Sequence, residues 1–231
     1  MTGLPLLRAE LLGGGYGEIE VVSDLSFELV AGRTLCIVGR NGVGKTTLMR
    51  MLAGHLPKAR GQLWFRGDRI DAQPPFRRHR LGIAYAPQEN VAFSTLTVAD
   101  NLAMPYRDRS LHRYDELFTA FPRMAERLNQ RAGDLSGGER KILSFCRALG
   151  GRLPLTLLDE PTEGVQAENI GRMASAIRAR TATGGSFILV EQNLSLVTEI
   201  ADSVLVMDHG VVTSRFPSRA TRDELESQLA I

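Results

Sequence analysis

The sequence predicts an α/β protein built on a mostly parallel sheet with helices on both faces. Three observations carry this. In the second half, short apolar runs at 155–158, 186–190 and 204–207 alternate with helical patterns at 167–182 and 194–201. Earlier, an apolar run at 33–38 feeds a glycine-rich loop and then a helical pattern at 47–53, closed by Gly54. Near the N-terminus, strand signals at 6–12 and 27–29 predict an antiparallel β layer, and 63–65 is a further strand candidate.

The elements follow in order. Gly13-Gly14-Gly15 reads as a turn that breaks the first antiparallel strand, and Ala31-Gly32 as a tight turn into the 33–38 strand. Residues 83–86 are a further strand. Thr97, with Asp100 three residues on, reads as a helix N-cap. From about 93 to 133 the chain is richer in Arg, Asp and Glu and poor in strand signals, so a helical insertion is expected there. Residues 136–149 then form a helix with Ile142, Cys146 and Leu149 on one face. In the 167–182 helix, Ile170, Met173, Ala174 and Ile177 share a side. His209-Gly210 reads as a hairpin turn, and Thr221 to Glu224 as a capping box that opens a last helix. The expected organisation is one domain over 1–231, with the helical insertion at about 93–133 inside it.

Bulk properties narrow the function. The 231 residues are 43% hydrophobic, enough for a large core, and a formal net charge of +2 calls for no nucleic-acid partner. Arg77-Arg78-His79-Arg80 is the densest basic run and reads as a solvated helix end. Cys36 and Cys146 fall in apolar patterns and read as buried thiols, which suits a reducing cytosol. No signal peptide and no apolar run near the roughly 20 residues of a membrane span is visible. A protein soluble by itself is expected, reaching a membrane only through a partner.

Residues 39–47 read Gly39-Arg40-Asn41-Gly42-Val43-Gly44-Lys45-Thr46-Thr47 and fit G-x-x-x-x-G-K-[ST]. The glycines let backbone N–H groups turn inward as a nest for phosphate oxygens. Lys45 adds a point charge near the β- and γ-phosphates, and Thr46 offers a hydroxyl to Mg²⁺. The helix behind aims its positive end at the same anion. Strand, loop and helix together predict a P-loop NTPase core that binds a nucleoside triphosphate.

Two more motifs follow. Leu155-Thr156-Leu157-Leu158-Asp159-Glu160 is a buried strand ending in two acids, delivered to the sheet edge where ligands bind. Asp159 would hold Mg²⁺ through water, and Glu160 would orient or deprotonate the attacking water. In isolation the pair would equally suit a helix N-cap and a solvated acid. Leu135-Ser136-Gly137-Gly138-Glu139 is a Ser N-cap with two glycines opening a helix, whose exposed N–H groups suit an anion.

With all three motifs in this order, nearly the whole chain resembles the ATP-binding subunits of ABC transporters. The resemblance implies ATP and Mg²⁺ as ligands, and a head-to-tail dimer in which Leu135–Glu139 of one subunit covers the ATP of the other. It also implies Tyr16 as the aromatic that stacks on adenine and Gln88 as the residue that reaches Mg²⁺ and water. As plain sequence, Tyr16 is a turn aromatic and Gln88 a polar loop residue. The implied partners are a second ATPase subunit, most simply a different chain, transmembrane permease subunits and, indirectly, an extracytoplasmic solute-binding protein. The implied place is the cytoplasmic side of the plasma membrane.

Two departures sharpen the resemblance. Gln192, in Val190-Glu191-Gln192-Asn193, stands where the family usually has a histidine, and Gln166 where it often has Asp. Glutamine donates a hydrogen bond but carries no charge at neutral pH. These segments are similar to one arm of the importers for branched-chain amino acids and for urea. Within that group, Glu191-Gln192-Asn193 leans to amino acids, and the 39–45 loop with Glu163-Gly164-Val165-Gln166 leans to urea. Gln192 also leaves open a mainly structural subunit whose partner does most of the turnover. An exporter ATPase is a further alternative, because the motifs encode no direction.

Overall fold

The computed structural model describes residues 4–58, 60–89 and 92–229; the outermost residues of the expected 1–231 domain lie outside these. The chain opens with β1 (Leu7–Tyr16), β2 (Ile19–Leu29), β3 (Thr34–Val38), α1 (Lys45–Ala53), β4 (Arg60–Phe65) and β5 (Asp68–Arg69). Next come α2 (Pro75–Leu81), β6 (Ile83–Ala86), α3 (Val98–Ala103), α4 (Asp115–Ala120), α5 (Pro122–Glu126) and α6 (Gly137–Gly150). The last part holds β7 (Leu155–Asp159), α7 (Ala167–Ala182), β8 (Ser186–Glu191), α8 (Leu194–Ile200), β9 (Ser203–Asp208), β10 (Val211–Phe216) and α9 (Arg222–Leu229).

Two sheets result. The first is antiparallel, in the order β2-β1-β4-β5. The second has the order β10-β9-β3-β8-β7-β6 and is parallel except for β10, which pairs antiparallel with β9. The expected α/β class and N-terminal antiparallel layer are therefore present. One local expectation fails. β1 does not break at Gly13-Gly14-Gly15 but runs through it, with Gly14 opposite Val22 and Gly15 opposite Glu20. Register shifts around these residues absorb the irregular backbone, and the chain reverses later, at Gly17-Glu18.

The central strands are buried on both faces, which explains their unbroken apolar runs. Their side chains alternate between two cores. Leu35 and Ile37 of β3 and Ile188 and Val190 of β8 join Leu12, Leu25, Leu48 and Leu52, between the sheets and α1. Cys36 and Val38, with Phe187 and Leu189, face the other way onto Phe145, Met173 and Val197 of α6, α7 and α8. The helical 98–134 stretch is fastened to this second core. Fully buried Tyr114 donates to Leu102 O at 2.8 Å, and Phe121 meets Phe145 edge-on at 6.0 Å between centroids.

Most predicted caps are in place. Thr97 Oγ1 accepts from Asp100 N at 3.0 Å, and Thr221 and Glu224 cap each other ahead of α9. The basic run departs from expectation. Arg78 is buried, and its guanidinium donates to the carbonyls of Gln73, Met51, Leu52 and Asp71 at 2.7–3.0 Å. It closes the C-terminal end of α1, where orphan carbonyls need donors. Burial pushes its pKa down to about 10, which still leaves it charged at neutral pH.

Candidate nucleotide site

Strand order assembles the site. β3, β8, β7 and β6 are consecutive and parallel, so their C-terminal ends lie along one edge of the sheet. The 39–47 loop follows β3, Asp159 ends β7 with Glu160 just after it, Gln192 follows β8, and Gln88 follows β6. Residues far apart in sequence thus meet in one cleft of about 150 Å³, walled by Lys45, Thr46, Thr47, Gln88 and Glu160 among others.

Gly44 shows why the loop is glycine-rich. It sits at φ +104 immediately before α1, and a Cβ there would come within 3.0 Å of Val21 O. Any other L-residue would be strained in that backbone conformation. α1 therefore starts with free N–H groups and no side-chain cap, in the arrangement that receives an anion. Lys45 is buried, and its ammonium reaches Gly39 O and Arg40 O at 2.9 Å and Glu160 Oε1 at 3.2 Å.

Glu160 meets three side chains of the cleft, Lys45 among them. Oε2 accepts from Gln88 Nε2 at 2.8 Å, and Oε1 accepts from Gln192 Nε2 at 3.1 Å. Gln192 Nε2 also donates to Asn41 Oδ1 at 2.6 Å, which ties the β8 end to the phosphate loop. Neutral Gln192 thus serves as a two-way donor between the loop and Glu160.

Thr46, Gln88 and Asp159 converge. Thr46 Oγ1 lies 3.2 Å from Gln88 Oε1 and 3.1 Å from Asp159 Oδ1. The hydroxyl has one proton and can satisfy only one of those two oxygens. The knot is therefore rich in hard oxygens and short of donors, a set that fits Mg²⁺. Burial pushes the Asp159 carboxyl up to about 6, against the hydrogen bonds from Tyr85 and Thr46 that favour its charge.

Several participants were not anticipated from sequence. Tyr85 OH donates to Asp159 Oδ2 at 3.1 Å and so fixes the carboxylate's rotation. Glu191, buried at the end of β8, accepts from Thr162 N and Oγ1 and from the backbone N–H groups of Gln192 and Asn193. An acid closing an otherwise apolar strand was the visible signal for Glu191. Tyr85 carried none, because an aromatic in a strand reads as core.

Tyr16 is 44% exposed, and its hydroxyl accepts from Arg50 Nη1 at 3.1 Å, which leaves the ring open to solvent beside the loop's helix. Leu135–Glu139 stand apart from the phosphate cleft. Ser136 caps α6 through Glu139 N at 3.3 Å, while Glu139 Oε2 accepts from Ser136 N at 2.9 Å. Ser136, Gly137, Gly138 and Glu139 line a separate cavity of about 670 Å³ with Val165 and Gln166.

Residues 22–163, more than half of the chain, match the ABC transporter family. The chain belongs to that family. This ABC protein is accordingly an ATPase subunit that binds and hydrolyses ATP, and such cassettes dimerise and work with permease subunits. Among its relatives is the high-affinity branched-chain amino acid transport ATP-binding protein BraG of Pseudomonas aeruginosa. BraG is 36% identical over 199 residues, 84% of this chain and 85% of BraG. The probable branched-chain amino acid transport ATP-binding protein LivF of Archaeoglobus fulgidus is 32% identical over 95% of this chain and 94% of its own. The lipopolysaccharide export ATP-binding protein LptB of Acidithiobacillus ferridurans is 29% identical over 97% and 95%. In fold, the ABC cassette is similar to a nucleotide-free ATP-binding cassette from an ABC transporter (TM-score 0.82, 23% identity, 99% and 96% covered). It also matches a dimeric post-hydrolysis cassette bound to ADP and Pi (TM-score 0.83, 17% identity, 93% and 100% covered). Among the described residues no helix is long and apolar enough to cross a membrane.

Proposed function

We propose that this subunit powers a membrane importer for branched-chain or other neutral amino acids. The observation that carries the solute class is the identity to BraG and LivF along most of each chain. The partners are a second, different ATPase subunit, transmembrane permeases and an extracytoplasmic solute-binding protein. The complex sits at the cytoplasmic face of the plasma membrane, with the 93–133 insertion of this single domain turned to the permease.

The site residues divide the work. Residues 39–47 bind the phosphates, with Lys45 as their cation, and Tyr16 stacks on adenine. Thr46, Gln88 and Asp159 would hold Mg²⁺, which would supply charge neutralisation for phosphoryl transfer. Glu160 takes the proton of the attacking water. Gln88 and Gln192 each donate to one of its oxygens, so the carboxylate keeps one orientation. Leu135, Ser136, Gly137, Gly138 and Glu139 complete the partner's site.

Glu160→Gln keeps the shape and removes the base. Turnover of the assembled transporter should fall by at least about a hundredfold while nucleotide binding persists. Unchanged turnover would show instead that the partner subunit does the hydrolysis and this chain serves mainly to close the dimer.

A further inference from the structure

Lys141 lies at the second turn of α6, and its side chain is 11% exposed. Its ammonium donates to the backbone carbonyl of Glu160 at 3.1 Å and to Glu163 Oε2 at 3.3 Å. That same Glu163 oxygen accepts from Gln88 Nε2 at 3.4 Å, and Gln88 Nε2 also donates to Glu160 Oε2 at 2.8 Å. Lys141, Glu163, Gln88 and Glu160 therefore close a ring around one peptide.

That peptide is unusual. Glu160 has φ +45, a left-handed backbone that residues other than glycine rarely adopt. Its N–H is held by Val190 O at 3.0 Å, and its carbonyl accepts from Lys141 at 3.1 Å and, more weakly, from Glu163 N at 3.5 Å. The backbone is thus clamped from both sides at the residue whose carboxylate meets Lys45, Gln88 and Gln192.

Lys141 also faces the other way. It lines the cavity walled by Ser136, Gly137 and Gly138. A Cβ on Gly138 would come within 2.6 Å of Gly164 O, so the start of α6 rides directly on the turn that follows Glu160. Lys141 therefore borders both the cavity at the start of α6 and the backbone of Glu160.

We infer that Lys141 is a positioning residue that couples the two half-sites of the chain, holding Glu160 in its left-handed conformation only while α6 is seated on the 160–164 turn. This rests on Glu160 being the proton acceptor. The coupling is electrostatic and short-ranged: when α6 shifts, the carbonyl loses its cation and the carboxylate loses its aim.

The test compares Lys141→Met, Lys141→Arg and Glu160→Gln in the full chain, within the assembled transporter, with nucleotide binding measured on the isolated full chain. Methionine keeps the length and removes the donors. Its kcat should fall between about tenfold and a hundredfold, the range for a misaimed reacting group. KM for ATP and the nucleotide Kd should stay within about twofold, because the phosphate loop is untouched. Arginine can again donate to both carbonyl and carboxylate and should recover at least about half of the turnover. Glu163→Ala removes only one of the two Lys141 partners. It should cost less than Lys141→Met and add nothing to it, which also serves if the methionine variant folds poorly. Wild-type kcat in Lys141→Met overturns the inference. Parallel losses of kcat, nucleotide affinity and thermal midpoint, with no recovery by arginine, overturn it as well, since they mark a packing role. If Glu160→Gln abolishes turnover while Lys141→Met does not lower it, only the coupling falls. If Glu160→Gln leaves turnover intact, the proton-acceptor reading falls with it.

Discussion

Replacing Asp159 by asparagine should make the metal-free protein more stable while removing its response to Mg²⁺. Asp159 is 1% exposed at the end of β7, and burial lifts its pKa from an ordinary value of 3.8 to about 6. About two pKa units correspond to about 3 kcal/mol by which folding disfavours the charged form at neutral pH. Asparagine has no such charge. It can accept from one of Tyr85 and Thr46 and donate to the other, since both hydroxyls also accept. Allowing for the loss of two charge-assisted bonds, the gain should be about 2–3 kcal/mol, or roughly 4–12 °C in Tm for a chain of this size. The sign with pH is fixed. Between the ordinary value near 3.8 and about 6, the folded chain holds more protons than the unfolded one, so wild-type stability falls as pH rises through that window. The advantage of Asp159→Asn should be complete above about pH 6 and vanish as pH drops towards 4. Calorimetry with chelator at pH 7.5 and at pH 4.5, repeated with Mg²⁺ and nucleotide, reads all of this. A variant no more stable than wild type at pH 7.5, or one that keeps the same advantage at pH 4.5, refutes the reasoning.

Two other substitutions probe different parts of the molecule. Arg78→Met should destabilise the chain by about 3–5 kcal/mol in urea unfolding, because the buried carbonyls of Met51 and Leu52 and the half-buried ones of Gln73 and Asp71 lose their donor. Gln192→Ala should leave stability within about 1 kcal/mol, since the side chain is exposed, but lower ATP turnover by about tenfold in steady-state assay.

The legible parts of the fold were those where one local rule acts alone. Unbroken apolar runs at β3, β7 and β8 marked strands covered on both faces, and alternation with helices marked parallel pairing. Phosphate-loop residues were legible because backbone and side-chain requirements coincide in nine consecutive positions. What escaped depends on long-range packing. A triple glycine reads locally as a turn, yet pairing on both sides draws it into β1. Arg78 reads as solvated because nothing near it in sequence announces the carbonyls of α1. Tyr85 and Lys141 become site residues only when β6 and α6 are laid beside β7, a juxtaposition that residue spacing does not encode.

Both thiols of the chain are sealed in the core: Cys36 in β3 and Cys146 in α6 are fully buried, and burial pushes each well above the ordinary thiol range. For spectroscopy this makes the native sequence a silent background. A cysteine introduced at Glu116 on α4 or Glu168 on α7, both largely exposed, would be the reactive thiol under mild labelling. A dye pair at those two sites spans the seam between the helical stretch and the sheet core. The distance between the two sites during ATP turnover can then be measured in real time without first stripping the protein of its own sulfur.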